Sequence, residues 1–309
     1  MIIDPIAARQ RAPAGCLVLD HLAHFVPDLE AATRALEALG FILSPYSEQS
    51  TRNADGAAVP AGSANRCVML EAGYLEFLTP IADTPNARLL RAAIARHTGV
   101  HLIALGTPAA AEEQVRLAAH GLAPLPLVRL ERTVDLDGKP ALARFALARV
   151  PPEAMPEGRI QFVEQITPEC LWQPRYLGHR NGVSALRAAF VVAEDVVQAT
   201  ARLARFSALL PRRTGPFAVL DTARGCMLVA RREDWQALLG GAPAAPAIAG
   251  CALECAEPAS FAAKCETAGG KSRRLGEDLF AATLPPALGS AWLFGTRPAL
   301  EHWLNHGMN

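Results

Sequence analysis

The stretch LVLDHLAHFVPDLEAATRALEALGF, residues 17–41, predicts a strand followed by a helix. The strand is largely apolar and carries His21 near its middle. Pro27 and Asp28 suit the start of a helix, because proline fits a first turn and aspartate accepts hydrogen bonds from free backbone N–H groups. Gly40 suits the end of that helix. Two apolar runs, NRCVMLEA and GYLEFLTP, follow as strands, so the unit is predicted to be β-α-β-β-β.

The same order of elements recurs along the chain. A second unit opens with GVHLIALG and closes with RIQFVEQITP, and two weaker copies begin near VSALRAAFVV and CALECAEP. Four such units are too long and too mixed for a solenoid, so we expect two units to share each curved sheet. The segment ECLWQPRYLGHRNG is predicted to join the two pairs, which gives an N-terminal domain of residues 1–172 and a C-terminal domain of residues 173–309.

Units one and two carry polar residues at matching positions. His21 and His101 each fall in the first strand of their unit, and Glu76 and Glu164 each stand four residues before a closing Thr-Pro proline. A glutamate in an apolar strand is costly to bury unless it is paired or binds a metal. Imidazole and carboxylate groups suit Zn²⁺, Ni²⁺, Fe²⁺ or Mn²⁺, so the four residues are predicted to bind one divalent metal ion.

Composition excludes several classes of function. The 30 Lys and Arg residues balance 30 Asp and Glu residues, which argues against a nucleic-acid partner. No apolar run is long and uninterrupted enough to span a membrane. The N-terminus, MIIDPIAARQ, lacks the pattern of a secretory signal, and seven cysteines without regular spacing fit reduced thiols. The sequence therefore predicts a cytoplasmic protein.

These motifs resemble a known superfamily. The β-α-β-β-β unit with strand-borne His and Glu is similar to the vicinal oxygen chelate superfamily, which includes glyoxalase I and extradiol dioxygenases. More narrowly, LDHLAHFVPDLEAATRALEALGF, ANRCVML, GYLEFL and GHRNG resemble the glyoxalase-like domain family. The resemblance covers most of residues 17–200. It implies an α+β fold in which four βαβββ modules pair into two half-open, mixed-sheet barrels, with a divalent metal on one concave face.

The resemblance also implies site residues. A glyoxalase I metal set maps onto His21, Glu76, His101 and Glu164, with Glu76 or Glu164 as the catalytic base. An extradiol dioxygenase set would need only His21, His101 and Glu164 around Fe²⁺. The C-terminal pair departs from this pattern, since Arg187 aligns with His21. The C-terminal barrel is therefore expected to lack a ligand set.

Three hypotheses about function follow. The first is a metal-dependent lyase or isomerase that stabilises an enediolate-like charge on a small carbonyl substrate. The others are an Fe²⁺ ring-cleaving dioxygenase and a metal-free protein that binds or sequesters a small hydrophobic or aromatic molecule. The sequence leaves the oligomeric state open, a homodimer included. The residues predicted to contact the substrate are Asn65, Arg66, His179 and Asn181.

Overall fold

The computed structural model describes residues 5–52 and 57–307, so the first four residues of the N-terminal segment considered above lie outside it. Within the described residues the chain forms two mixed sheets of eight strands each. The strands of the N-terminal sheet are β1 (Val18–Phe25), β2 (Ser47–Arg52), β3 (Ala58–Met69), β4 (Tyr74–Pro80), β5 (Gly99–Gly106), β6 (Val128–Leu136), β7 (Lys139–Arg149) and β8 (Arg159–Gln165). Those of the C-terminal sheet are β9 (Val183–Val192), β10 (Pro211–Thr214), β11 (Phe217–Asp221), β12 (Cys226–Ala230), β13 (Ala247–Cys255), β14 (Lys271–Arg274), β15 (Leu279–Thr283) and β16 (Ala291–Gly295).

Eight α-helices accompany these sheets in the described part of the chain. They are α1 (Pro5–Ala8), α2 (Leu29–Ala38), α3 (Pro85–Arg96), α4 (Ala110–Ala119), α5 (Val196–Ser207), α6 (Arg232–Leu239), α7 (Pro258–Thr267) and α8 (Arg297–His306). Short 3-10 turns lie at Pro152–Ala154, Pro168–Cys170 and Pro174–Tyr176. Across residues 5–52 and 57–307, no helix combines the length and apolar character that a membrane span requires.

Both sheets have the same strand order. It is β2-β3-β4-β1-β5-β8-β7-β6 in the first sheet and β10-β11-β12-β9-β13-β16-β15-β14 in the second. The first strand of each module lies at the centre and is followed by a helix: α2 after β1, α4 after β5, α5 after β9 and α7 after β13. The predicted α+β fold of four βαβββ modules in two half-open barrels is therefore confirmed.

The first module begins its helix as its sequence predicts. Asp28 precedes α2 in extended backbone, and its Oδ1 accepts hydrogen bonds from the backbone N–H groups of Glu30 and Ala31 at 2.9 and 3.1 Å. The helix buries Leu29, Ala32 and Leu36. This cap fixes the point at which the chain leaves β1 and enters α2.

One hydrophobic core joins the two barrels. The outer faces of both sheets, together with helices α2, α4, α5 and α7, contribute to a single buried cluster. Trp292 of β16 lies in this core and donates a hydrogen bond from Nε1 to Nε2 of His24 on β1, at 3.3 Å. The His24 ring also stacks on Phe77, with ring centroids 4.6 Å apart. Burial of this imidazole lowers its pKa to about 3.

The burial of His24 predicts how stability depends on pH. The unfolded chain takes up a proton at His24 below about pH 6.5, whereas the folded chain does so only near pH 3, so acid favours unfolding. Between pH 7 and pH 5 we expect His24 alone to reduce the free energy of unfolding by about 2 kcal/mol. Chemical denaturation of wild type and His24→Gln at both pH values measures this difference. Glutamine keeps an acceptor for Trp292 but does not titrate.

Other buried groups contribute equally to wild type and variant, so the comparison isolates His24. We expect the variant to lose less stability on acidification. Equal losses in the two proteins would contradict the assignment of a neutral, buried imidazole at the junction of the barrels.

Candidate functional site

The two sheets differ at their inner faces. In the C-terminal barrel, Trp235 of α6 and Trp303 of α8 are buried against the inner face and fill it with apolar side chains. In the N-terminal barrel, the inner face opens onto a cavity of about 460 Å³ that is lined by residues from all eight strands. We call this cavity the N-terminal cup. A filled inner face leaves no room for a ligand, so the candidate site is the N-terminal cup.

His21 of β1 lines the cup and is held by a buried carboxyl group. Its Nδ1 lies 2.6 Å from Oδ1 of Asp20, which is fully buried and also accepts a hydrogen bond from Nε2 of Gln165 at 3.0 Å. The imidazole stacks on Tyr74, with ring centroids 4.3 Å apart. Because a carboxylate only accepts, Nδ1 carries the hydrogen of this bond, and Nε2 is the nitrogen available to a bound molecule.

Glu76 of β4 also lines the cup and is buried. Its Oε1 accepts hydrogen bonds from Nδ2 of Asn65 at 2.5 Å and from Nε2 of Gln49 at 3.1 Å. Gln49 in turn accepts a hydrogen bond from Ser63 at 2.7 Å. Two amide donors therefore satisfy one oxygen of Glu76 and fix its direction.

His101 and Glu164 do not line the cup. Oε2 of Glu164 accepts a hydrogen bond from the backbone N–H of Ala110, the first residue of α4, at 3.0 Å. A carboxylate at this position satisfies a free N–H and complements the helix dipole. His101 is buried with its Nε2 2.7 Å from the carbonyl oxygen of His97. Of the four predicted ligands, the structure brings only His21 and Glu76 together in the cup.

A β-bulge in each central strand explains why His101 misses the cup. The pairing of β1 with β5 skips one residue in each strand, Asp20 in β1 and His101 in β5. A bulged residue interrupts the alternation of side chains between the two faces of a strand. Residues two apart in sequence therefore no longer share a face across the bulge. Asp20 and His101 occupy equivalent bulges, and the residue after each, His21 and Leu102, faces the cup.

The register of the strands also shows which residue takes the position in the cup that was predicted for Glu164. Glu76 pairs with Ala23, three residues after the bulge of β1, and Gln161 pairs with Ala104, three residues after the bulge of β5. Gln161 is therefore the structural counterpart of Glu76, and it lines the cup. Glu164 lies three residues further along β8 and points to the opposite face, where α4 packs.

Of the four residues predicted to contact the substrate, one lines the cup and three do not. Asn65 lines the cup, whereas Arg66, its neighbour on β3, does not and lies with Nη1 3.4 Å from the carbonyl oxygen of Ser44. His179 is buried: its Nδ1 accepts from the N–H of Ile42 at 3.0 Å and its Nε2 donates to a carbonyl oxygen at 2.9 Å. Asn181 is buried and bonds to backbone groups through both ends of its amide. His179 and Asn181 hold the segment between the sheets in place.

Three arginines of the described residues line the cup, and none of them was among the sequence candidates: Arg132 of β6, Arg149 of β7 and Arg159 of β8. Burial lowers the pKa of Arg159 to about 10, with the charge of Arg149 adding to the effect and that of Glu76 opposing it. Burial also lowers the pKa of Arg149. The sequence contained a signal for Arg149, because Phe145, Leu147 and Arg149 alternate along β7 and so share one face of the strand.

Two further polar side chains in the cup remain protonated. Burial, together with the charges of Asp20 and Glu76, raises the pKa of the Tyr74 hydroxyl. Burial and the charge of Glu76 raise the pKa of the Cys67 thiol to about 12. Tyr74 therefore offers a hydrogen-bond donor to the cup, while Cys67 is not a ready nucleophile.

Comparison with known proteins agrees with this architecture. The family model of the glyoxalase-like domain matches residues 19–207. The chain belongs to the glyoxalase-like domain family. No curated protein matches it in sequence. A hypothetical protein from Staphylococcus aureus has a similar structure, with a TM-score of 0.62 at 10% identity, covering 91% of this chain and 99% of that one.

Two solved structures with described activities are also similar. The Mn(II)-bound glyoxalase from Novosphingobium aromaticivorans has a TM-score of 0.52 at 10% identity, covering 90% of this chain and 81% of that one. A xylose isomerase-like TIM barrel/4-hydroxyphenylpyruvate dioxygenase fusion protein has a TM-score of 0.51 at 12% identity. The match covers 90% of this chain and 48% of that one. At these identities the likeness concerns the fold alone.

The inner residues of this glyoxalase-like domain do not fit the metal that the family implies. The four equivalent positions hold His21, Glu76, Leu102 and Gln161, so one is apolar and one is a neutral amide. Among residues 5–52 and 57–307, no group of three His, Cys, Asp or Glu side chains could hold a metal ion. These four positions hold neither a four-ligand set nor a set of two histidines and one carboxylate.

Restoring the missing ligands tests this conclusion. We expect the double variant Leu102→His, Gln161→Glu to bind Ni²⁺ because it completes the two equivalent halves. At a Ni²⁺ concentration 100 times its dissociation constant, such a site stabilises the fold by about 2.7 kcal/mol. Thermal unfolding of untagged protein with and without Ni²⁺ measures the effect.

The matched control is Leu102→Gln, Gln161→Glu, which adds a polar side chain of poor affinity for Ni²⁺. We expect neither the control nor wild type to gain stability from the metal. Stoichiometric Ni²⁺ in wild type, lost on His21→Asn, would show that the native donor set suffices.

Proposed function

We propose that the N-terminal cup is the active site of an enzyme that moves a proton on a small carbonyl compound, as an isomerase or lyase does. The observation that carries this proposal is the hydrogen bond between His21 and buried Asp20 at the wall of the cup. The proposal keeps the reaction class that the sequence suggested. It assigns the proton transfer to His21 and derives no step from a metal ion.

His21 has the features of a general base. The bond from Nδ1 to Asp20 fixes the tautomer and leaves the lone pair of Nε2 for a bound molecule. A carboxylate in this position also stabilises the imidazolium that forms when Nε2 takes a proton. Stacking on Tyr74 fixes the plane of the ring. The pair is therefore preorganised for proton transfer.

The cup also offers donors for a developing negative charge. Tyr74 stays protonated, and Arg132 donates from Nη1 to Oδ1 of Asn65 at 3.4 Å, while its buried Nε has no partner. Donors held in a desolvated site stabilise an enolate-like oxygen more strongly than water does. These groups would supply the stabilisation of charge that the first hypothesis assigns to a metal.

The proposed step balances without an oxidant. Nε2 of His21 takes a proton from the carbon beside the carbonyl, and the C–H electron pair forms a carbon–carbon double bond. The carbonyl electrons move to oxygen, where Tyr74 and Arg132 donate hydrogen bonds. His21 then returns the proton to the enolate oxygen, which completes an isomerisation to the enol, or to the same carbon, which restores the carbonyl compound. The dioxygenase hypothesis requires an iron set that the inner residues do not provide.

A second candidate is binding without chemistry. The floor of the cup is apolar, with Leu102, Leu147 and Val163 among its lining residues, and such a surface binds a small molecule without reacting with it. Both candidates use the same cup, and proton exchange separates them.

Hydrogen exchange in D₂O tests the proposal. We expect wild type to exchange the C3 hydrogens of 2-oxobutanoate, a small carbonyl probe, as followed by loss of their ¹H NMR signal. His21→Asn should slow this exchange about 100-fold or more, the range expected for loss of a general base. Asp20→Asn should slow it as well, because the tautomer is no longer fixed.

His120→Asn is the matched control, since the exposed His120 side chain lies at the C-terminal end of α4 and its Nδ1 bonds to the carbonyl oxygen of Arg116. We expect it to exchange the probe at the wild-type rate. Wild-type protein that binds 2-oxobutanoate without exchanging its hydrogens would favour the binding protein over the enzyme.

A further inference from the structure

Arg149 and Arg159 lie on neighbouring strands at one side of the N-terminal cup. Arg149 pairs across β7 and β8 with Gln161, and Arg159 stands two residues before Gln161 on the same face of β8. Diagonal neighbours of this kind lie about 7–8 Å apart at their Cα atoms, within reach of each other for long side chains. One small anion can therefore contact both guanidinium groups.

These two groups are poorly satisfied by the protein. Nε of Arg149 is buried without a hydrogen-bond partner, and Nη2 of Arg159 has only the side-chain oxygen of Asn86, at 3.4 Å. In the described part of the chain, neither forms an ion pair with a carboxylate. Buried donors of this charge are costly unless a partner arrives.

The charge inside the cup is unbalanced. Among the described lining residues, three arginines face a single buried carboxylate, Glu76, because the other lining carboxylates, Glu48 and Glu131, are exposed. Asn65 links Glu76 to Arg132 by hydrogen bonds, and the charge of Glu76 reaches Arg159 without an ion pair between the two described side chains. Arg149 and Arg159 are thus the two guanidiniums for which a ligand would supply the counter-charge.

The wall beside this pair is apolar. Leu102 pairs with Arg159 across β5 and β8, Leu147 precedes Arg149 by two residues, and Val163 follows on β8. A ligand that contacts the guanidiniums would lay its remaining atoms on these side chains. The cavity of about 460 Å³ accommodates a small organic molecule.

We infer that Arg149 and Arg159 bind the carboxylate of a small organic acid whose apolar part packs on Leu102, Leu147 and Val163. Guanidinium groups match carboxylates because two parallel N–H groups donate to the two oxygens. The inference rests on the proposed function in placing the substrate in the same cup, and it specifies that substrate as an acid.

Calorimetric titration tests the inference with four probes. Phenylacetate carries the carboxylate and an apolar ring, 2-phenylacetamide is its neutral analogue, benzylphosphonate offers a phosphate-like group, and toluene offers the ring alone. We expect wild type to bind phenylacetate at least about tenfold more tightly than 2-phenylacetamide, as loss of one charge-assisted hydrogen bond predicts.

Substitutions locate the anion. Arg149→Gln and Arg159→Gln should each weaken phenylacetate binding about 10- to 100-fold and change 2-phenylacetamide binding less than about threefold. Arg129→Gln is the matched control, since Arg129 is exposed on β6 and does not line the cup. It should leave both affinities unchanged. The melting temperature of ligand-free Arg149→Gln should equal or exceed that of wild type, because a buried unpaired charge is removed.

Several outcomes would overturn the inference. These are equal binding of phenylacetate and its amide, no binding of phenylacetate, or retention of its affinity in both arginine variants. Tighter binding of benzylphosphonate than of phenylacetate would show that the site prefers a phosphate-like group to a carboxylate. Charge-dependent binding without hydrogen exchange would contradict the proposed function and support this inference. Exchange of a neutral ketone at the same rate as 2-oxobutanoate would support the proposed function and contradict this inference.

Discussion

The pairing of β1 with β5 determines the rest of the N-terminal site. These two strands meet at the centre of the sheet, and each carries one bulged residue, Asp20 or His101. The bulge in β1 turns His21 into the cup while keeping Asp20 beside it, so that adjacent residues can form a hydrogen bond at 2.6 Å. In a regular strand, neighbours point to opposite faces. The His–Asp pair therefore depends on a backbone irregularity.

The sequence predicted the modules but not the register between them. Pro27, Asp28 and Gly40 are local signals, and local signals suffice to place a strand, a helix and their order along the chain. The mapping of His21 onto His101 was one residue off, because a bulge consumes a position without changing the spacing visible in the sequence. Glu164 followed a matching Thr-Pro motif, yet the cross-strand pairing places Gln161 opposite Glu76.

The two barrels show that topology alone does not create a site. Their strand orders are the same, and the position of His21 in the second barrel is taken by Ala188, since Arg187 is the bulged residue there and pairs with Glu254. Helices α6 and α8 bring Trp235 and Trp303 onto the inner face of that sheet. Apolar side chains therefore occupy the space that corresponds to the N-terminal cup. Function on such a fold belongs to the side chains of one cup.

Electrostatics then decides which ligand the open cup suits. A divalent cation would add positive charge beside Arg132, Arg149 and Arg159, where the described lining residues at the four equivalent positions offer His21 and Glu76 as strong ligands. An organic anion instead supplies the counter-charge, and it allows the buried Nε atoms of Arg132 and Arg149 to find acceptors. Unpaired guanidiniums in a cavity reduce the stability of the empty protein. Binding of an acid would remove that cost. The arginines are therefore better explained as ligand-binding residues than as part of the folded core.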